Sequence, residues 1–208
     1  MKRIYLHPLP LRLWHWVNTL LVLALLVTGF SIRLKGVADL GANSTLLLLH
    51  RYLGWAMIAC WLFWLAHGIA SGGLKRHYAL RRRDGSGMLR QAVYYLFSMF
   101  RGEENPFRPT PEAKFNALQK LAYGAVMWIF MVALALTGVL FSDVRIFRSS
   151  LVLWNGVRLL EAIHVVAAYV VGLYVIVHIY MASLGPTWFS HTKEMIVGYE
   201  QGAPEQEE

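Results

Sequence analysis

The chain is short of charge and almost without cysteine. Only 15% of its 208 residues are Asp, Glu, Lys or Arg, against about a quarter in an ordinary soluble domain. So few charges cannot clothe a soluble surface, and the composition is far too apolar for a disordered chain. The single cysteine, Cys60, excludes an internal disulfide. It also excludes a cysteine-rich zinc site, an iron–sulfur cluster held by this chain alone, and CxxCH attachment of a c-type haem. Seven prolines and 17 glycines rule out a collagen-like rod. What is abundant is apolar: 57% of residues, with a mean hydropathy of +0.44. The basic surplus, net +8, then reports membrane orientation rather than nucleic-acid binding.

Four long apolar runs stand out, from about Trp14 to Ile32, Leu46 to Ala70, Ala117 to Phe141 and Leu159 to Leu184. Each reaches the ~20 residues a helix needs to cross the hydrocarbon core. The expectation is an all-α integral membrane protein, a four-transmembrane-helix bundle forming one domain over residues 1–208. The first run follows Lys2 and Arg3 as a signal peptide would. It is too long for a usual apolar signal core and opens with Trp14, His15 and Trp16, so it reads as a retained helix. No repeat or low-complexity segment stands out, and the end after Gly202 is short and acidic.

Charge asymmetry gives a topology. With both termini in the cytoplasm, 14 of the 20 Lys and Arg lie inside, most in the connection from Lys75 to Lys120. The other six are Arg33, Lys35, Arg51, Arg145, Arg148 and Arg158. This bias follows the positive-inside rule. The basic connection itself reads as an orientation signal at lipid headgroups.

The chemistry lies in the histidines. His7, His77 and His191 fall outside the apolar runs, while His15, His50, His67, His164 and His178 lie within or at the edge of them. Ionisable groups at that depth are costly enough to mark function. In the expected topology His15 and His178 share the cytoplasmic level, and His50 and His164 the opposite level. Paired imidazoles from facing helices supply the two axial ligands of a haem in a bundle core. His164 and His178 are 14 residues apart, which returns a helix to within about 40° of the same face and about 21 Å along its axis. His67 is rotated by about 100° from the His50 face and reads as a hydrogen-bonded bundle residue.

Small and cationic residues fit this scheme. Gly29, Gly54, Gly138 and Gly172 occur once per run, where glycine admits a flat macrocycle or a neighbouring helix. Arg12, Arg51 and Arg158 lie within reach of haem edges as propionate partners, and equally serve as interfacial anchors. The eight Trp and ten Tyr read mostly as interfacial belts and bundle filling.

The runs RLWHWVNTLLVLALLVTGF, HRYLGW, KFNALQKLAY and IHVVAAYVVGLYVIVHIYM resemble the dihaem cytochrome b subunits of bacterial respiratory oxidoreductases. The resemblance is nearest to the gamma subunit of formate dehydrogenase. The b-type subunits of nickel–iron hydrogenases and thiosulfate-type reductases are similar. It covers about Arg12 to Tyr199 and implies two b haems. One would be held by His15 and His178 on the cytoplasmic side, the other by His50 and His164 near the periplasm.

The same resemblance implies a quinone site, for menaquinone or ubiquinone, at Asn116 and Gln119 with His178. Leu118 stands where the family often has glycine. On its own, Asn116 reads as a helix cap before the third run, which is compatible. Implied partners are an iron–sulfur subunit and a molybdenum, tungsten or nickel–iron catalytic subunit on the periplasmic side of the bacterial inner membrane. Electrons from them would reduce quinone with proton uptake from the cytoplasm, and the chain itself would hold no primary catalytic residue. Alternatives are a quinol-oxidising subunit of a terminal reductase, a hydrogenase cytochrome b, and a stand-alone cytochrome oxidising superoxide or quinol. A non-redox anchor or transporter would leave the depth pairing unexplained.

Overall fold

The computed structural model describes residues 3–35, 44–80, 84–107, 109–110, 113–142, 156–185 and 187–201. The apolar runs form four long helices: α1 (Leu9–Lys35), α2 (Thr45–Ala70), α4 (Ala117–Ser142) and α5 (Gly156–Ser183). Two shorter helices are α3 (Asp84–Leu96) and α6 (Ser190–Val197). The four long ones have 26 to 28 residues, about 40 Å at the α-helical rise, more than the ~30 Å hydrocarbon core. Leu20, Val27, Leu136, Leu173 and Ile176 stand exposed on them, as a lipid-facing surface requires.

The helices begin and end for local reasons. α1 starts five residues before the expected Trp14, because Pro10 in its first turn has no amide to leave unpaired. The amides of Leu11 and Arg12 both reach the carbonyl of Pro8, at 3.0 and 3.2 Å. Arg33 and Lys35 occupy its last turn, where cations oppose the negative helix end. α4 opens on a capping box. The Asn116 side chain accepts from the Gln119 amide at 2.8 Å, and Gln119 Oε1 accepts from the Asn116 amide at 3.0 Å. From Ala125 to Phe130, α4 is wound as a π-helix, and the carbonyl of Met127 accepts the indole N–H of Trp61 at 3.0 Å.

The chain divides into two compact units. The first comprises Met1–Arg12, Leu65–Ala125 and Ala182–Glu208. In it β1 (Arg3–Tyr5) runs antiparallel to β2 (Tyr199–Gln201), with Ile4 opposite Glu200. Gly198, at φ 90°, ends α6 in the left-handed region. Its carbonyl receives the amides of Leu6 and His7. Arg12 Nη1 donates to the carbonyl of Ile196. α3 packs on the first turns of α4, burying Gln91. Lys120 and Asp84 join the two helices by an ion pair of 3.2 Å, with side chains 9% and 13% exposed.

The second unit comprises Leu13–Trp64 and Val126–Met181. Its core is Met57, Val126 and Met131, packed against Leu21, Val22, Leu25, Trp61, Leu134 and Tyr174. An aromatic cluster of Trp14, Trp61, Trp64 and Trp128 has neighbouring ring centroids 5.7 to 6.5 Å apart.

All four expected spans are helices, so this is a multi-pass membrane protein. The π-helical segment, the strand pair and the helix α3 inside the basic connection are features that charge counting and apolar runs do not reveal. Arg81, Arg82, Arg83, Arg108, Arg145, Arg148 and the acidic end after Gly202 lie outside the described residues.

Candidate functional site

The intramembrane histidines of the second unit come together in two pairs. The rings of His15 on α1 and His178 on α5 have centroids 6.3 Å apart, inclined at 53°. Those of His50 on α2 and His164 on α5 are also 6.3 Å apart, inclined at 71°. Two imidazoles that bond one metal through nitrogen at about 2 Å each hold their ring centres about 6 Å apart. Both pairs have that spacing. Among the described residues no group of three or more His, Cys, Asp or Glu could hold a metal ion, so the paired imidazoles are the metal-binding chemistry on offer. Two axial imidazoles are the ligand set of a haem iron with both axial positions filled.

Side chains around the pairs fix the rings. His178 stacks on Tyr174 at 5.8 Å, and His164 meets the edge of Phe141 at 5.9 Å. Nδ1 of His50 lies 2.7 Å from Oγ1 of Thr28. Nδ1 of His164 lies 2.7 Å from Oγ1 of Thr137. A hydroxyl has one proton, and each threonine has a carbonyl four residues back to receive it: Ala24 at 2.8 Å and Ala133 at 2.6 Å. The bond to the ring is therefore donated by Nδ1–H, which leaves the Nε2 lone pair of His50 and His164 free for a metal. The donor set, its separation and its tautomer fit a haem. No sequence signal singled out Thr28 or Thr137. The one available was the dipeptide Thr-Gly, present in both α1 and α4.

The glycines divide by what they face. A Cβ on Gly29 would stand 3.2 Å from Cε1 of His50, and one on Gly138 would stand 3.7 Å from Cε1 of His164. Gly172 faces Leu26 on α1 at 3.6 Å, and Gly54, one turn after His50, faces open space. Along the helices, the apolar core of Met57, Val126 and Met131 falls between the two histidine levels.

Of the arginines, Arg51 is exposed with its guanidinium 5.8 Å from the Tyr52 ring centre. Arg158 is exposed. Arg12 has one nitrogen on the Ile196 carbonyl, while its Nε is buried without a partner among the described residues. His67 belongs to the first unit.

Asn116 and Gln119 also lie in the first unit, and His178 in the second. Asn116 is buried. Its Nδ2 donates to the Tyr95 hydroxyl at 3.1 Å. It lines a cavity of about 280 Å³ with Arg76, Asp84, Arg90, Gln91 and Lys120, and Gln119 is not in that wall. The surroundings are electropositive. Burial lowers the pKa of His77 to about 4, helped by the charges of Lys114, Arg76 and Lys120. Burial and then Arg76 also lower that of Lys114. Burial raises that of Tyr95, against the hydrogen bonds of Asn116 and Gln91.

Residues 6–198 match the family model for prokaryotic cytochrome b561. A relative from Escherichia coli (strain K12), named "Putative cytochrome YdhU", is 34% identical over 204 residues, covering 95% of this chain and 75% of its own length. With four membrane-spanning helices and paired intramembrane histidines already in view, these matches make the chain a member of the prokaryotic cytochrome b561 family, a membrane electron-transfer protein of the b-haem type.

Proposed function

We propose that this chain carries electrons between a periplasmic redox partner and the quinone pool through two b haems, and that it is the membrane subunit of a larger oxidoreductase. The observation that carries the reading is the repetition of one geometry: two histidine pairs, each with ring centroids 6.3 Å apart. One-electron transfer across the bilayer is the chemistry b haems supply when bound.

The protein's part is ligation, orientation and insulation. His15 and His178 hold one group, His50 and His164 the other. Since His164 and His178 sit about 21 Å apart along one helix, both groups belong to one column through the bundle. Met57, Val126 and Met131 keep that column apolar between them. Arg12, Arg51 and Arg158 are candidates to neutralise propionates.

Quinone is reduced at Asn116 and Gln119, and takes up two protons with its two electrons. The buried Asn116 amide and the cation-rich cavity beside it support an electron-rich carbonyl ligand there. Electrons come from an iron–sulfur subunit joined to a molybdenum, tungsten or nickel–iron catalytic subunit, as in the formate dehydrogenases this chain resembles. Electron entry from the periplasm with proton uptake from the cytoplasm builds a protonmotive force in the inner membrane.

A pyridine haemochrome assay on the purified complex, with subunits identified by mass, tests this. Two b haems per chain with an iron–sulfur partner are expected. His164→Ala and His15→Ala should each leave one haem, and His67→Ala should leave two. An unchanged haem content in His164→Ala rejects the ligand assignment. Two haems with no partner point to a stand-alone cytochrome.

A further inference from the structure

The two histidine pairs share a spacing but not an environment. Thr28 and Thr137 are 6% and 4% exposed, and each hydroxyl lies 2.7 Å from Nδ1 of a histidine in the same pair, His50 and His164. A ring bound to a metal through Nε2 carries its proton on Nδ1, so each ring would donate to a hydroxyl whose own proton has a helix carbonyl to go to. The other pair is built differently. Nδ1 of His15 is buried with no hydrogen-bond partner among the described residues. The nearby hydroxyl of Thr19 goes to the backbone carbonyl of His15 at 2.8 Å, not to its ring.

A hydrogen bond accepted from Nδ1–H makes the imidazole a stronger electron donor through Nε2. Stronger donation favours the ferric over the ferrous iron it ligates, and second-shell hydrogen bonding is one of the levers a protein has on haem potential. Both hydroxyls are buried, and the low local dielectric of an apolar bundle strengthens such a bond.

We infer that Thr28 and Thr137 are positioning residues that lower the reduction potential of the His50–His164 site below that of the His15–His178 site, making it the electron-donating end of the column. The inference rests on the two-haem reading above. It gives the flow a direction. One electron leaves the His50–His164 site for each one gained at the His15–His178 site, supplied by the iron–sulfur partner and finally accepted by quinone. The same Thr-Gly dipeptide does this on α1 and on α4, one threonine for each ligand.

The test is a spectroscopic redox titration of the purified holoprotein with its haem content measured alongside. The wild-type protein should show two midpoints, and the His15→Ala variant should retain the lower. Thr28→Val and Thr137→Val remove the acceptor while keeping the side-chain shape. Each should raise the lower midpoint alone, by about tenfold in the one-electron equilibrium, about 59 mV. Thr28→Ser restores the hydroxyl and should restore the midpoint, which a purely steric role would not do. Two haems with unmoved midpoints in both valine variants, or movement of the upper midpoint instead, overturns the inference. A wild-type count other than two haems per chain rejects the reading beneath it.

Discussion

Gly29 lies against the imidazole of His50 so closely that a methyl group on its Cα would stand 3.2 Å from Cε1 of the ring. The equivalent contact of Gly138 with His164 is looser, 3.7 Å. The first distance forces the ring to yield, whereas the second is ordinary van der Waals contact. His50 cannot move without stretching its 2.7 Å bond to Thr28, the residue before that glycine. Gly29→Ala should therefore weaken haem retention at the His50–His164 site, and Gly138→Ala should leave two haems per chain. The haem count after detergent washing distinguishes them. Equal losses would show that the approach at Gly29 sets no limit.

Asn116 carries two expected duties that a substitution series separates. Its side chain accepts from the Gln119 amide at 2.8 Å as a helix cap and donates to Tyr95 at 3.1 Å beside the cavity. Asn116→Ala should lower stability by about 1 kcal/mol through loss of the cap. Asn116→Ser keeps a capping oxygen and should melt like the wild type. If quinone meets the Asn116 amide, the serine variant should still turn quinone over slowly with both haem spectra unchanged. Full quinone turnover in the serine variant would leave Asn116 with the cap alone.

The spans and the four histidines were legible because each is a property of one helix. An apolar run shows its own length, and depth along a helix follows from residue number. Asn116 could be read as a cap for the same reason, since a capping box is closed within four residues. Thr28 and Thr137 were not legible. A threonine inside an apolar run ordinarily bonds the carbonyl one turn back, and both do so. Their second bond reaches 22 and 27 residues along the chain, to His50 and His164. The pairing of Asp84 with Lys120 spans 36 residues and was hidden likewise, inside a connection read only for its basic excess.

That ion pair is a second test of the fold. Its side chains are 9% and 13% exposed, so Asp84→Asn leaves a buried ammonium uncompensated. The expected loss is about 3–5 kcal/mol, seen as a lower melting temperature in detergent. Replacing both residues together, Asp84→Leu with Lys120→Met, removes the stranded charge and should recover most of that loss. If the single variant melts like the wild type, the pair is solvated and contributes little.

His77 predicts how the first unit responds to acid. Burial, with Lys114, Arg76 and Lys120 around it, lowers the pKa of His77 from 6.5 to about 4 in the folded protein. Its Nδ1 is buried without a hydrogen-bond partner among the described residues, and the cations around it oppose protonation. Between these two values the unfolded chain binds a proton that the folded chain refuses. Stability contributed by the neutral ring is therefore complete above pH 6.5 and declines as pH falls toward 4. The His77→Gln variant lacks that proton and should lose less stability across the same window. Melting temperatures measured from pH 7 to pH 4 compare the two slopes, and parallel curves would show that His77 is solvated and titrates normally.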